Sequence, residues 1–301
     1  MRILFTGLNG LIGTYLAGLV GHEYLSSEFH ISSFVRYQSY SNHTISSRSI
    51  ADDVYYGSCA SVQDLSFSIS QSKPDLIVHI AQHRYTPNLI KALSLSDHAC
   101  SLLVVGTTGV FSKFASCSSP YLHGEQLLLE SGLDFCLIRP TMIYGSKLDR
   151  NIHKLYECID AGKFVVLPNN GLSKFQPVFY KDVGFALFSL LDRWMYRRSF
   201  EHHFINLPGP NVLSLRDICS QISGCCANSG LRTVPLSLDV AHFAARVIYF
   251  LLRENSPILP EQILRLQEDK VFPSDWHLIS PSFSPTSFVD GVNYMIQSYS
   301  S

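Results

Sequence analysis

The chain is short of charge. Only 16% of its 301 residues are Asp, Glu, Lys or Arg, against about 25% in an ordinary soluble domain. That shortage excludes a charged disordered tail. Neither sign is in excess: 23 Lys and Arg stand against 24 Asp and Glu, a net charge of -1. With no basic surplus, the sequence predicts no nucleic-acid partner. The 8 cysteines include no Cys-x-x-Cys pair, which argues against a zinc ribbon or thioredoxin-type centre. No metal is expected, and the cysteines read as free thiols in a reducing cytoplasm.

A membrane span is missing too. The first 21 residues carry one charge, Arg2, but Gly7, Gly10 and Gly13 weaken any signal-peptide helix. The apolar stretch 234–252 contains Asp239, His242 and Arg246. Those residues predict an amphipathic helix there. The sequence therefore predicts a soluble, cytoplasmic protein with no membrane partner.

Hydrophobic residues are plentiful, at 46%, and they come in short runs. Strands are expected over 3–5, 31–35, 54–56, 75–81, 101–105 and 135–138, with helices over 11–20, 87–95 and 125–131. Strands separated by helix-length connections predict an α/β fold with a parallel sheet buried on both faces. Proline and glycine recur in the second half. Helices are expected there over 149–161, 181–194, 214–222 and 238–251, with short strands at 164–166 and 203–205.

The segment Thr6-Gly7-Leu8-Asn9-Gly10-Leu11-Ile12-Gly13 follows the first strand and opens the first helix. Gly7 lets the chain turn sharply, Gly10 lets a pyrophosphate approach the backbone, and Gly13 lets the helix pack on the strand. The N–H groups at the helix start then face phosphate oxygens.

The Gly-x-x-Gly-x-x-Gly spacing resembles the extended and atypical short-chain dehydrogenase/reductases. So do Val78-His79-Ile80-Ala81, Val104-Val105-Gly106-Thr107-Thr108, Ile138-Arg139-Pro140-Thr141-Met142-Ile143-Tyr144-Gly145 and Gln176-Pro177-Val178-Phe179-Tyr180-Lys181-Asp182-Val183, in that order. Glu268-Asp269-Lys270 resembles the C-terminal end of the NAD-dependent epimerase/dehydratase group. The resemblance implies a Rossmann doubly wound parallel sheet with a smaller C-terminal substrate-binding domain. Residues 1–149 and about 178–207 would form the dinucleotide domain, and about 150–177 and 208–301 the substrate domain. It also implies a cofactor lined by Gly7, Asn9, Gly10, Leu11, Ile12, Ala81, Thr107, Pro140 and Met142, and a homodimer.

The end of the second strand meets the adenine ribose, where a carboxylate selects NAD(H). Here it reads Phe34-Val35-Arg36-Tyr37, with no acid nearby. Arg36 suits a 2′-phosphate, so NADP(H) is expected ahead of NAD(H).

In the family a Ser or Thr binds the substrate oxygen, and a Tyr four residues before a Lys transfers the proton. A tyrosine ionises near ~10 in water, and an adjacent ammonium makes it a usable base. Thr108 matches the first position. The Tyr-x-x-x-Lys pair is absent. If Tyr121 is the tyrosine, the lysine position holds Glu125. If Gly124-Glu125-Gln126 anchors the alignment, Tyr121 falls on the lysine position and Cys117 on the tyrosine position. Thr108 and Tyr121 are the candidate catalytic residues in either register, and His123 and Lys113 are nearby candidates for the missing cation, although they read better as a surface His and a solvated Lys. Tyr144 is expected near the pocket mouth, with simple packing as the other reading. Arg150 and Asn151 open a helix where a diphosphate could sit, although Asp149 could instead cap that helix.

Two functions remain open. One is an NAD(P)-dependent oxidoreductase or epimerase acting on a carbonyl or hydroxyl, with a nucleotide sugar as the candidate small-molecule substrate. The other is a non-catalytic NADP-binding regulator or assembly factor with a degenerate site.

Overall fold

The computed structural model describes residues 1–24, 29–36, 50–149, 151–226, 230–253, 263 and 265–300. Seven strands form one sheet: β1 (Arg2–Thr6), β2 (His30–Val35), β3 (Asp53–Tyr56), β4 (Leu76–His79), β5 (Ser101–Val105), β6 (Phe135–Pro140) and, past the short strand β7 (Phe164–Pro168), β8 (Phe204–Leu207). Their order is β8-β6-β5-β4-β1-β2-β3, and every pairing is parallel. The expected α/β doubly wound sheet is therefore the observed one. Its strand order reverses between β1 and β4, where such sheets open a crevice at their carboxyl ends.

Alternation along β1 builds the two buried faces. Ile3 and Phe5 join Leu16 and Val20 of α1 (Leu11–Tyr24). Leu4 joins Leu65 and Ile69 of α2 (Val62–Ser72), Leu89 and Leu93 of α3 (Thr86–Leu95) and Leu128 of α4 (Ala115–Glu130). Val183, Leu187 and Leu191 of α6 (Tyr180–Arg197) cover the first face beside α1.

A third core lies beyond the sheet's carboxyl ends. It joins Ile152 and Ile159 of α5 (Ile152–Asp160), Ile218 and Ile222 of α7 (Leu215–Cys225) and Val292 and Met295 of α10 (Phe288–Ser300). Between them come β9 (Arg232–Leu236), parallel to β7, α8 (Leu238–Leu252) and the single turn α9 (Trp276–Ile279). That turn returns to the sheet: Trp276 and Ile279 enter the first core, and Trp276 Nε1 donates to Pro208 O at 2.7 Å.

Two helices depart from the expectations. α4 begins ten residues before position 125 and contains Pro120; its Ser- and Pro-bearing first half hides the helical pattern. α2 is Ser-rich and was not expected. Its N-cap Ser61 accepts from Asp64 N at 3.1 Å, which satisfies one donor of its first turn.

Candidate functional site

The glycine turn is built as its spacing requires. Gly7 has φ +85°, a left-handed conformation that side chains disfavour. A Cβ there would lie 2.8 Å from Ala81 N, so Gly7 also lets the ends of β1 and β4 close together. A Cβ on Gly13 would collide with Gly7 O and the Leu8 backbone. The loop thus delivers the first-turn amides of Leu11 and Ile12 to the crevice, and no acidic residue stands in that turn. Nδ2 and Oδ1 of Asn9 are buried with no partner in the protein. A cradle closed to Cβ atoms, an unpaired amide and a helix N-terminus free of acid fit a dinucleotide pyrophosphate.

Thr6 and His79 end β1 and β4, and Thr6 Oγ1 lies 2.8 Å from His79 Nδ1. Burial, with a smaller contribution from His83, pushes the His79 imidazole down to about 3. Burial also lowers His83, whose Nδ1 lies 2.9 Å from Thr86 Oγ1.

Arg36 is exposed at the end of β2. It lies close enough to Cys59 to counter the burial that pushes that thiol up to about 11. Asp64 Oδ2 accepts from Ser58 N at 2.9 Å, so a carboxylate reaches the loop after β3 from α2.

Past the carboxyl ends of β5 and β6 lies a cavity of about 1010 Å³. Thr107, Thr108, Met142 and Asn151 of the candidate residues line it. Thr107 Oγ1 is engaged, accepting from Gly109 N at 3.0 Å. Thr108 Oγ1 makes only a long 3.5 Å contact to Pro140 O, so its hydroxyl can turn to another acceptor. Pro140 itself is buried.

Tyr121 is not among the lining residues. Its ring stacks on His83 at 5.9 Å between centroids and backs onto Gly109. Glu125, one turn on, is bonded to Arg139 at 2.8 and 2.6 Å. Lys113 lines the cavity, whereas His123 is exposed on α4.

On the substrate side one expectation is corrected, and at α5 the second of the two readings holds. Tyr144 is fully buried in the third core, not at the pocket mouth; its hydroxyl donates to Ser287 O and Phe288 O at 3.3 Å. The start of α5 does not await an anion: the Asp149 carboxylate accepts from the amides of Asn151 at 2.7 Å and of Ile152 and His153 at 3.1 Å. Burial raises that carboxyl. Asn151 lies at the rim, exposed, and Arg150 lies outside the described residues.

The far wall comes from residues that the sequence did not single out. Arg265 lines the cavity, with a buried, unpartnered Nε. Glu268 accepts from Ser112 Oγ at 2.9 Å and Lys113 N at 2.5 Å, and Asp269 accepts from Lys174 N at 3.0 Å. Phe111 and Phe272 pack at 5.5 Å beside this strap. The cavity therefore holds Lys113, Lys154, Arg265 and Lys270 against two carboxylates already accepting hydrogen bonds. The Glu268-Asp269-Lys270 stretch was the signal that could have led to Arg265.

No protein-family model matches the sequence, and no curated protein matches it. Solved structures match over nearly the whole chain. It is similar to a UDP-glucose 4-epimerase from Thermotoga maritima crystallised with UDP-glucose (12% identity, TM-score 0.70, 100% of this chain and 99% of that one). It is similar to a UDP-glucuronic acid 4-epimerase from Bacillus cereus in complex with NAD (16%, 0.70, 99% and 100%). A dTDP-glucose 4,6-dehydratase from Bacillus anthracis in complex with NAD is likewise similar (17%, 0.69, 100% and 96%). The seven-stranded parallel sheet with its C-terminal helical layer is the Rossmann-type fold shared with these sugar epimerases and dehydratases.

Proposed function

We propose that the protein is an NAD(P)-dependent epimerase or oxidoreductase acting on a hydroxyl-bearing carbon of a nucleotide-activated sugar. The carrying observation is the cavity beside Thr108, whose cationic lining includes Arg265 with its buried, unpaired Nε. A buried donor without an acceptor is costly, and a diphosphate oxygen would satisfy it. The three sugar-nucleotide enzymes named above have the same fold, which supports the reading.

Residues 1–149 and about 178–207 would hold the dinucleotide, and about 150–177 and 208–301 the sugar nucleotide. When bound, the nicotinamide supplies a hydride acceptor and donor. Gly7, Asn9, Gly10, Leu11 and Ile12 would hold its pyrophosphate, and Arg36 would favour NADP(H) through the 2′-phosphate. Thr108 Oγ would donate to the reacting oxygen, and Tyr121, which stands outside the cavity lining against His83, would reach the substrate only by turning its ring past Gly109. Arg265 and Lys154 would orient the diphosphate, fixing the sugar over the reacting site.

A regulator that binds dinucleotide without turnover is the second reading, favoured by the position of Tyr121 against His83. The test is purified protein titrated with NADH and NADPH by fluorescence, then assayed on a panel of UDP- and dTDP-sugars by product chromatography. Dinucleotide binding with turnover of one sugar nucleotide supports the enzyme. Binding with no turnover across the panel supports the regulator, and absence of binding rejects both.

A further inference from the structure

Helix α8 has two unlike faces. Ala241 and Ala245 pack with Leu236, Ile263 and Leu266 against the body of the protein. On the opposite face Phe243 and Phe250 stand 70% and 73% exposed, with Val240 and Val247 exposed beside them. Positions 240, 243, 247 and 250 follow the helical repeat and form one outward stripe. Phenylalanines held in water at this spacing mark an interaction surface rather than a random surface residue.

Charge decides what the surface fits. His242, Arg246 and Arg253, with Tyr249 and Phe250, line a groove of about 460 Å³ along one flank of the stripe. The one acidic residue of α8, Asp239, stands in its first turn, one turn before His242, and does not line the groove. A second copy packed antiparallel about Arg246 would set that guanidinium against its own equivalent in the middle of the contact, which like-charge repulsion opposes. An anionic surface complements both features: rings enter the acyl boundary while guanidinium groups stay at the phosphate level.

We propose that α8 rests on an anionic lipid surface, with Phe243 and Phe250 inserted and Arg246 and Arg253 paired with headgroup phosphates. Among the described residues no helix is long and apolar enough to cross a membrane, so the contact is peripheral. The expectation of no membrane partner rested on the missing span, and a helix lying in the interface needs none. This surface is separate from the cavity beside Thr108 and does not depend on the catalytic reading.

The test is co-sedimentation of the full chain with phosphatidylcholine vesicles, with and without phosphatidylglycerol. Binding is expected on the anionic vesicles and should weaken as salt is added. Phe243→Ser and Phe250→Ser should each lower the partition coefficient about tenfold, and Arg246→Gln about fivefold. An unchanged Tm would show that each variant is folded. Failure to bind anionic vesicles, equal binding to both vesicles, or equal partition of wild type and folded variants would each overturn the proposal. So would an oligomer seen by light scattering that Phe243→Ser dissociates, since a second copy would then own the stripe.

Discussion

Glu125 and Arg139 hold one another in a forked ion pair between α4 and β6, with Arg139 Nε 2.8 Å from Glu125 Oε1 and Nη2 2.6 Å from Oε2. Both side chains are largely shielded, Glu125 at 8% and Arg139 at 12% exposure, and the guanidinium also lies 4.2 Å from the Phe204 ring centroid. The pair bears on the broken Tyr-x-x-x-Lys pattern. A carboxylate committed to Arg139 is a structural tie between helix and sheet. That favours the register anchored on Gly124-Glu125-Gln126, with Tyr121 at the lysine position.

Glu125→Ala should destabilise the protein by about 3–5 kcal/mol, because it strands a shielded guanidinium. Urea unfolding measures it. Replacing both partners, as Glu125→Leu with Arg139→Met, should cost clearly less than the single change. A double loss equal to the sum of the losses of Glu125→Leu and Arg139→Met measured alone would mean that the pair carries no coupling.

Thr108→Ala should lower kcat for the sugar nucleotide about 100-fold, with KM little changed, since the hydroxyl acts on charge developing at the reacting oxygen. A rise in KM at constant kcat would demote Thr108 to ordinary substrate binding. Steady-state kinetics on the substrate found by the panel distinguish the two.

Arg36→Ala should weaken NADPH about tenfold or more and leave NADH near its wild-type affinity, as a charge-assisted contact to the 2′-phosphate would require. Fluorescence titration gives both dissociation constants. If the variant loses equally on both cofactors, or on neither, Arg36 does not select between them.

His79 makes stability depend on pH. Its folded-state value is depressed to about 3 by burial, against about 6.5 unfolded. The unfolded chain therefore binds more protons between these limits. The contribution is complete above pH ~6.5 and falls as pH drops toward 3, by up to about 1.4 kcal/mol per unit. Urea unfolding from pH 7 to 5 should show a shallower slope in His79→Gln. Parallel slopes for the two proteins would place the acid sensitivity elsewhere.

The order of the sheet's strands, most of its helices, the glycine turn and the places of Thr107 and Thr108 at the end of β5 were legible in the sequence, whereas α2 and the first half of α4 were not. Each legible feature rests on local signals: apolar runs of strand length, glycine spacing, a motif at a strand end. Short-range chemistry by itself determined that this chain winds a parallel sheet with a tight glycine turn after its first strand. The tertiary structure decided what partners the polar groups take. Tyr144 reads as a pocket residue from its motif, yet Phe288 and Val292, far along the chain, enclose it. Asp149 claims amides that an anion could have used. Arg265 reaches the cavity because the chain returns across the ends of the strands. These relationships join residues dozens to more than a hundred positions apart, or turn on which of two local acceptors wins, and burial and hydrogen-bond satisfaction are settled only when the whole chain packs.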